Sequence, residues 1–241
     1  MWWTEFNHDG PGFDPFGPAH LLVFAVVMLS CACLFIWRRP LRRSQAFQKT
    51  FCWTAVVFLL LAEVWLHTWY ILEGVWSVRF ALPLKLSSFA WMAVIAMLLT
   101  KRTSFWTAFA FYAGMTSAFL TLIFPDVDDY GFPHLRFLHF FMTHGLLITA
   151  VFYKLIIERA PVTFRSLFAV WLVMNVLAAF VFLVNSLTGG NYMYLMEKPP
   201  SPTPFDLLGE WPYYLIALQP LAVGLFMLMY MFYYYAVKRW Q

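Results

Sequence analysis

Apolar residues in this chain fall in long unbroken runs, not in the alternation or one-sided helical stripe of a soluble domain. A membrane-spanning helix takes about 20 mostly apolar residues. Seven stretches qualify: Ala19–Trp37, Phe51–Leu72, Phe80–Leu99, Phe105–Phe124, Leu135–Ile157, Phe164–Leu187 and Tyr213–Val237. The pattern predicts an all-α membrane protein, one seven-transmembrane-helix bundle covering residues 1–241. In the third stretch Pro83 is expected within the first helical turn, where a missing N–H costs little.

Composition sharpens this. Of 241 residues, 62% are hydrophobic, 21% aromatic and 12% charged, against about 25% charged in soluble domains. A soluble core cannot hide 27 Phe, 12 Trp and 12 Tyr; most are expected to face lipid. A soluble enzyme and a nucleic-acid binder are excluded, which leaves membrane lipids as expected partners. Cys31, Cys33 and Cys52 make no disulfide framework. The N-terminus lacks the basic start of a cleavable signal peptide. No cofactor and no oligomeric state can be read from the chain.

Charge gives the orientation. Numbered alternately, one set of connections holds Arg38, Arg39, Arg42, Arg43, Lys49, Lys101, Arg102, Lys154, Arg159, Arg165, Lys238 and Arg239. The other set holds Arg79, Lys85, Arg136 and Lys198. Short loops rich in Lys and Arg stay in the cytoplasm. The sorting predicts an outer N-terminus, a cytoplasmic C-terminus and a multi-pass protein of a cell membrane, bacterial inner or plasma membrane in type.

Ionisable groups inside a membrane are costly and mark function. The candidates are His20, Glu63, His67, Arg79, Lys85, Arg136, His139 and His144, with Ser87, Ser88, Asn175, Asn185 and Gln219 as uncharged members. At 1.5 Å per residue, Glu63, Ser87 and His144 each lie roughly 10–14 Å below the outer ends of their helices. The inner half is expected to hold almost no polar group except Asn175. Glu63 and His67 share a helix face. Arg136, His139 and His144 can lie along one stripe. The connection at 188–212, rich in proline and aromatics, is predicted to fold over the outer mouth as a lid.

LPLKLSS (Leu82–Ser88), FFMTHG (Phe140–Gly145) and GGNYMYLMEKPPSPTPFDLLGEWPYY (Gly189–Tyr214) resemble the YwaF-like integral membrane proteins, a bacterial family grouped with the animal transmembrane protein 164 family. The resemblance runs from His20 through the last span. It implies a seven-helix membrane protein and, from the animal branch, an acyltransferase acting on phospholipids. That branch's proposed cysteine, just after the LPL motif, falls on Ser87 here, and its histidine falls on His144. A serine in that place needs a well-placed base to act as an acyl acceptor.

The leading expectation is a phospholipid acyltransferase or acyl hydrolase. Ser87 is the nucleophile and His144 the base, with Glu63 or Asn191 orienting or stabilising. Arg79, Lys85, Arg136 and Lys198 hold a phosphate headgroup, while His67, His139, Asn191 and Tyr192 complete the substrate site. A zinc-dependent variant would draw on His20, His67, His139, His144 and Glu63, although no tight zinc motif is present. The alternatives are a transporter or receptor for a small anionic or amphipathic ligand, and a scaffold.

Overall fold

The computed structural model describes residues 1–7, 9–100, 104–199 and 204–240, the last segment's first two by backbone only. Lys101 and Arg102, counted above among the inner cations, and lid residues 200–203 lie outside the described residues. The helices are α1 (Pro18–Ile36), α2 (Arg38–Arg43), α3 (Gln45–Leu72), α4 (Leu86–Leu99), α5 (Phe105–Phe109), α6 (Thr116–Ile123), α7 (Leu135–Ile156), α8 (Phe164–Thr188) and α9 (Tyr213–Phe232). A π-helical turn, Ala110–Met115, joins α5 to α6. No strand occurs among the described residues.

Six of these helical stretches are long and apolar enough to cross a membrane, with α5 to α6 taken as one and α9 continued to Trp240. The third predicted span is shorter than its apolar run: α4 has 14 residues, about 21 Å of helix. Residues 80–85 are not helical, so Pro83 precedes the helix instead of opening it. A residue before proline is pushed out of the helical region. The freed Leu82 N–H donates to the Tyr192 hydroxyl at 2.8 Å.

α4, α7 and the α5–α6 stretch form the interior. Ala90, Ala93, Val94 and Met97 of α4 have no exposed surface. Small residues let these helices come close. The Gly114 backbone meets the Ala90 side chain, and an added Cβ would lie 3.5 Å from it; at Gly145 a Cβ would lie 2.8 Å from Val27 Cγ2 of α1. α1, α8 and α9 are peripheral and turn Leu22, Leu29, Val176, Leu183, Ile216 and Leu228 outward.

One expectation needs correction and another a qualification. Many aromatics are exposed, such as Trp53, Phe168, Phe180 and Tyr235, but others fill the core: Phe111, Tyr112, Tyr153, Tyr214 and Tyr233 are among the largest fully buried side chains. Lys154, read as an inner-loop cation, is 1% exposed within α7 and pairs with Glu158 at 2.7 Å. The half of the bundle expected to be inner is therefore not free of charge.

Acidic and basic residues mark opposite ends of the bundle. The acidic end gathers the N-terminal segment and the loops at 73–85, 124–134, 189–199 and 204–212. The N-terminal segment is a strap held through its own carbonyls. Trp69 Nε1–H donates to Thr4 O at 2.6 Å, the Tyr130 hydroxyl to Phe6 O at 2.8 Å, and Leu135 N–H to Trp3 O at 2.9 Å. At the basic end lie α2, the end of α7 and the C-terminal turn.

Candidate functional site

His144 is buried on α7, its Nδ1 2.7 Å from the Phe140 carbonyl one turn earlier. A carbonyl only accepts, so Nδ1 carries the proton and Nε2 of the neutral ring keeps its lone pair. His139 lies one turn nearer the acidic end, its ring 5.5 Å from that of Trp65 on α3. Both of its ring nitrogens are buried without a hydrogen bond of normal geometry, although the Ala62 carbonyl is close by. Arg136 opens the same helix and is buried. Its guanidinium reaches the Tyr70 hydroxyl and lies 5.5 Å from the Phe140 ring centre.

Lys85 caps the start of α4 by backbone position alone, since no side chain caps this helix. Its charge and that of Arg136 both act on His139 and His144. Lys85 in turn senses Glu63, Asp126 and Asp128. Lys85 and Asp128 are accessible yet feel desolvation from surrounding protein; the cavity beside Asp128 is lined by Phe6, Asn7, Asp9, Asp129 and Tyr130. Burial holds the Asp128 carboxyl up from its ordinary value against the charge of Arg136, with Asp126 adding to the rise. Among the described residues neither Lys85 nor Arg136 has a carboxylate ion-pair partner. Two cations thus stand within electrostatic reach of two histidines.

Ser87 is the second residue of α4 and half-buried. Its hydroxyl has no hydrogen-bond partner among the described residues. The first N–H groups of a helix lack internal acceptors and carry partial positive charge. Those of Leu86 and Ser87 find no acceptor among the described residues, whereas Ser88 N–H turns back to Lys85 O at 2.9 Å.

Glu63 faces His67, with Oε1 3.3 Å from Nε2, rather than His144. Trp76 Nε1–H donates to His67 Nδ1 at 3.1 Å. An indole nitrogen only donates, so His67 accepts at Nδ1 and presents Nε2–H to Glu63. The orienting group of His144 is therefore the Phe140 carbonyl.

The lid residues build scaffolding. The Tyr192 hydroxyl donates to Val78 O at 2.8 Å while accepting from Leu82. Asn185 brackets Tyr192, accepting its N–H at 2.9 Å and donating to its carbonyl at 3.0 Å. Asn191 Oδ1 accepts from Met196 N–H at 3.0 Å, and its Nδ2 donates to Glu197 O at 2.9 Å. Lys198 pairs with Glu210 at 2.9 Å. Arg79 is exposed and sits against Gly189 and Gly190. The Tyr194 hydroxyl donates to Asp126, clasping lid to loop; burial first, then the Asp126 charge, pushes that phenol up from its ordinary value. Only part of the lid packs down, since Leu207 is 88% exposed.

The structure thus brings Glu63, Lys85, Arg136, His139 and His144 into one electrostatic neighbourhood and leaves Arg79, Asn191, Tyr192 and Lys198 to the lid. Sequence reasoning missed Asp126, Asp128 and Tyr194 as site residues; the pattern Asp-x-Asp-Asp in the loop at 124–134 was the available signal. His20 belongs elsewhere: it is 1% exposed, accepts Phe16 N–H at 3.0 Å and reaches Leu122 O at 2.7 Å. Among the described residues no three His, Cys, Asp or Glu converge to hold a metal, so the zinc variant lacks a ligand set there.

A search of curated proteins and one of solved structures returned no match. A family model described as the TMEM164 family matches residues 15–230. With most of its length matched and several helices apolar enough to cross a bilayer, the chain is a multi-pass membrane protein that belongs to the TMEM164 family.

Proposed function

We propose that the acidic end of the bundle is a phospholipid acyl-transfer or acyl-hydrolysis site, with Ser87 as nucleophile and His144 as base. The carrying observation is the His144–Phe140 hydrogen bond, which leaves an imidazole lone pair within electrostatic reach of two cations that have no ion-pair partner among the described residues. Ser87 Oγ attacks the ester carbonyl while its proton passes to His144 Nε2. The oxyanion is held by the uncapped N–H groups of α4. Collapse breaks the ester bond; the departing lysophospholipid oxygen takes the proton back from His144, and an acceptor hydroxyl or water then releases the acyl group from Ser87. Lys85 and Arg136 hold the phosphate, and the clasped lid keeps water out.

On this reading α4, preceded by the extended segment 80–85, is a seventh passage buried within the bundle. The basic end faces the cytoplasm and the acidic end the outer leaflet of a cell membrane. The chain then sits in the YwaF-like bacterial branch of its family, as the segment Gly189–Tyr214 supports.

The test is reconstitution with phospholipid labelled in its acyl chain. Acyl exchange or release is expected in the wild type and is expected to be lost in Ser87→Ala and His144→Gln. A second reading, an anion-binding transporter or receptor without chemistry, is favoured by one observation: Ser87 Oγ makes no hydrogen bond to His144. Ligand flux without lipid turnover in the same vesicles would select it.

A further inference from the structure

The tip of the lid is built unlike its body. The body is tied down: Asn185 brackets Tyr192, the Tyr194 hydroxyl clasps Asp126, and the Tyr214 hydroxyl donates to Tyr194 O. The tip comprises the 3₁₀ turn Pro204–Leu208, which lies against α9, and the residues that lead into that helix. Leu207 is more exposed than any other large apolar side chain among the described residues, and Trp211 and Tyr213 are exposed as well. The Trp211 ring stays half-exposed although its Nε1–H donates to Leu195 O at 3.2 Å. Glu210 of the same stretch is exposed and pairs with Lys198 at 2.9 Å.

This apolar surface continues into α9. Tyr213, Ile216, Met227 and Met231 are exposed at spacings that put them on one face of a helix. α9 is a peripheral helix of a membrane protein, so that face meets lipid. Trp and Tyr gather where the hydrocarbon meets the headgroups, and a segment with apolar residues beside charged ones lies in that layer instead of crossing it. We propose that the lid tip, through Leu207, Trp211 and Tyr213, is an interfacial anchor that dips into the lipid leaflet at the acidic end, with Glu210 in the headgroup layer. Lipid is the occupant because the patch extends the lipid-facing side of α9 and carries a charge at its edge. The anchor stands on exposure alone and does not depend on the acyl-transfer reading.

The test puts an environment-sensitive fluorophore on Leu207→Cys in the full chain, with Cys31, Cys33 and Cys52 replaced by alanine, in phosphatidylcholine vesicles. One arm adds lipid with a nitroxide high on its acyl chain, and the other adds iodide to the water. A fluorophore on Asp9→Cys, an exposed position of the N-terminal strap, is the aqueous reference. The Leu207 probe is expected to emit to the blue of the Asp9 probe, to lose most of its emission to the nitroxide lipid and to be protected from iodide. Iodide quenching equal to that at Asp9 overturns the anchor. Protection from both quenchers also overturns it, because protein then covers the tip. Should the cysteine-free chain fail to fold, the nitroxide lipid is added to wild type and to Trp211→Phe. The tryptophan emission lost to it is expected to shrink in the variant, and an unchanged loss overturns the anchor. No readout here involves lipid turnover, so failure of the anchor is distinct from failure of the acyl-transfer reading.

Discussion

His144 Nδ1 and the Phe140 carbonyl oxygen lie 2.7 Å apart on successive turns of α7. This contact fixes the tautomer of a buried imidazole without any carboxylate, because a backbone carbonyl has no proton to give. Glu63, on a separate helix, is engaged with His67 instead.

His144→Gln removes the lone pair and retains a polar side chain at the site. Positioned general bases contribute about 10²–10⁴-fold, so turnover of labelled phospholipid is expected to fall by that order. The thermal midpoint should move far less than for a core truncation, which separates a chemical role from a packing one.

Long lipid-matched runs were legible because nothing distant alters them: α1, α7 and α8 lie within a few residues of their predicted bounds. The start of α4 was not, because the partner of Leu82 N–H is a hydroxyl 110 residues away. Lys154 was misplaced although its partner Glu158 sits at i+4, the one local signal that a charge so near a helix end can be buried. Depth arithmetic singled out Glu63, Ser87 and His144, but it carried no information on partners, and Glu63 faces His67. The Tyr194–Asp126 clasp joins two loops 68 residues apart and has no periodicity to betray it. The N-terminal strap binds largely through backbone carbonyls, which no side-chain pattern encodes.

Asp128→Asn should stabilise the protein at neutral pH. The folded-state carboxyl is raised by burial, so the folded protein holds this proton more tightly than the unfolded chain. The penalty appears as pH rises from the unfolded carboxyl value, about 4, through the raised folded value, and is absent below both. The melting difference between variant and wild type is therefore expected to be positive at pH 7 and to vanish near pH 3. A difference independent of pH would instead reflect the positive φ of 53° at this residue, which Asn tolerates well.

Asn185→Ala should loosen the lid. Asn185 is 1% exposed and holds both backbone polar groups of Tyr192. Leaving each unpaired costs roughly 1–3 kcal/mol. Limited proteolysis of the 189–199 segment is expected to accelerate, and Asn185→Asp, which keeps the acceptor alone, should fall between the two.

Gly145→Val should pry α1 from α7. Even a first carbon at this site meets Val27 Cγ2 at 2.8 Å, and overpacking typically costs about 1–3 kcal/mol. A lowered thermal midpoint is expected, with partial recovery in the double variant that also carries Val27→Ala.

The most direct test of the acyl-transfer account is peptide mass spectrometry of the reconstituted protein, quenched during turnover of acyl-labelled phospholipid. The account predicts a labelled acyl ester on Ser87, absent from Ser87→Ala. Lipid turnover that continues undiminished in Ser87→Ala, with no label on the Leu82–Ser88 segment of the wild type, would contradict it.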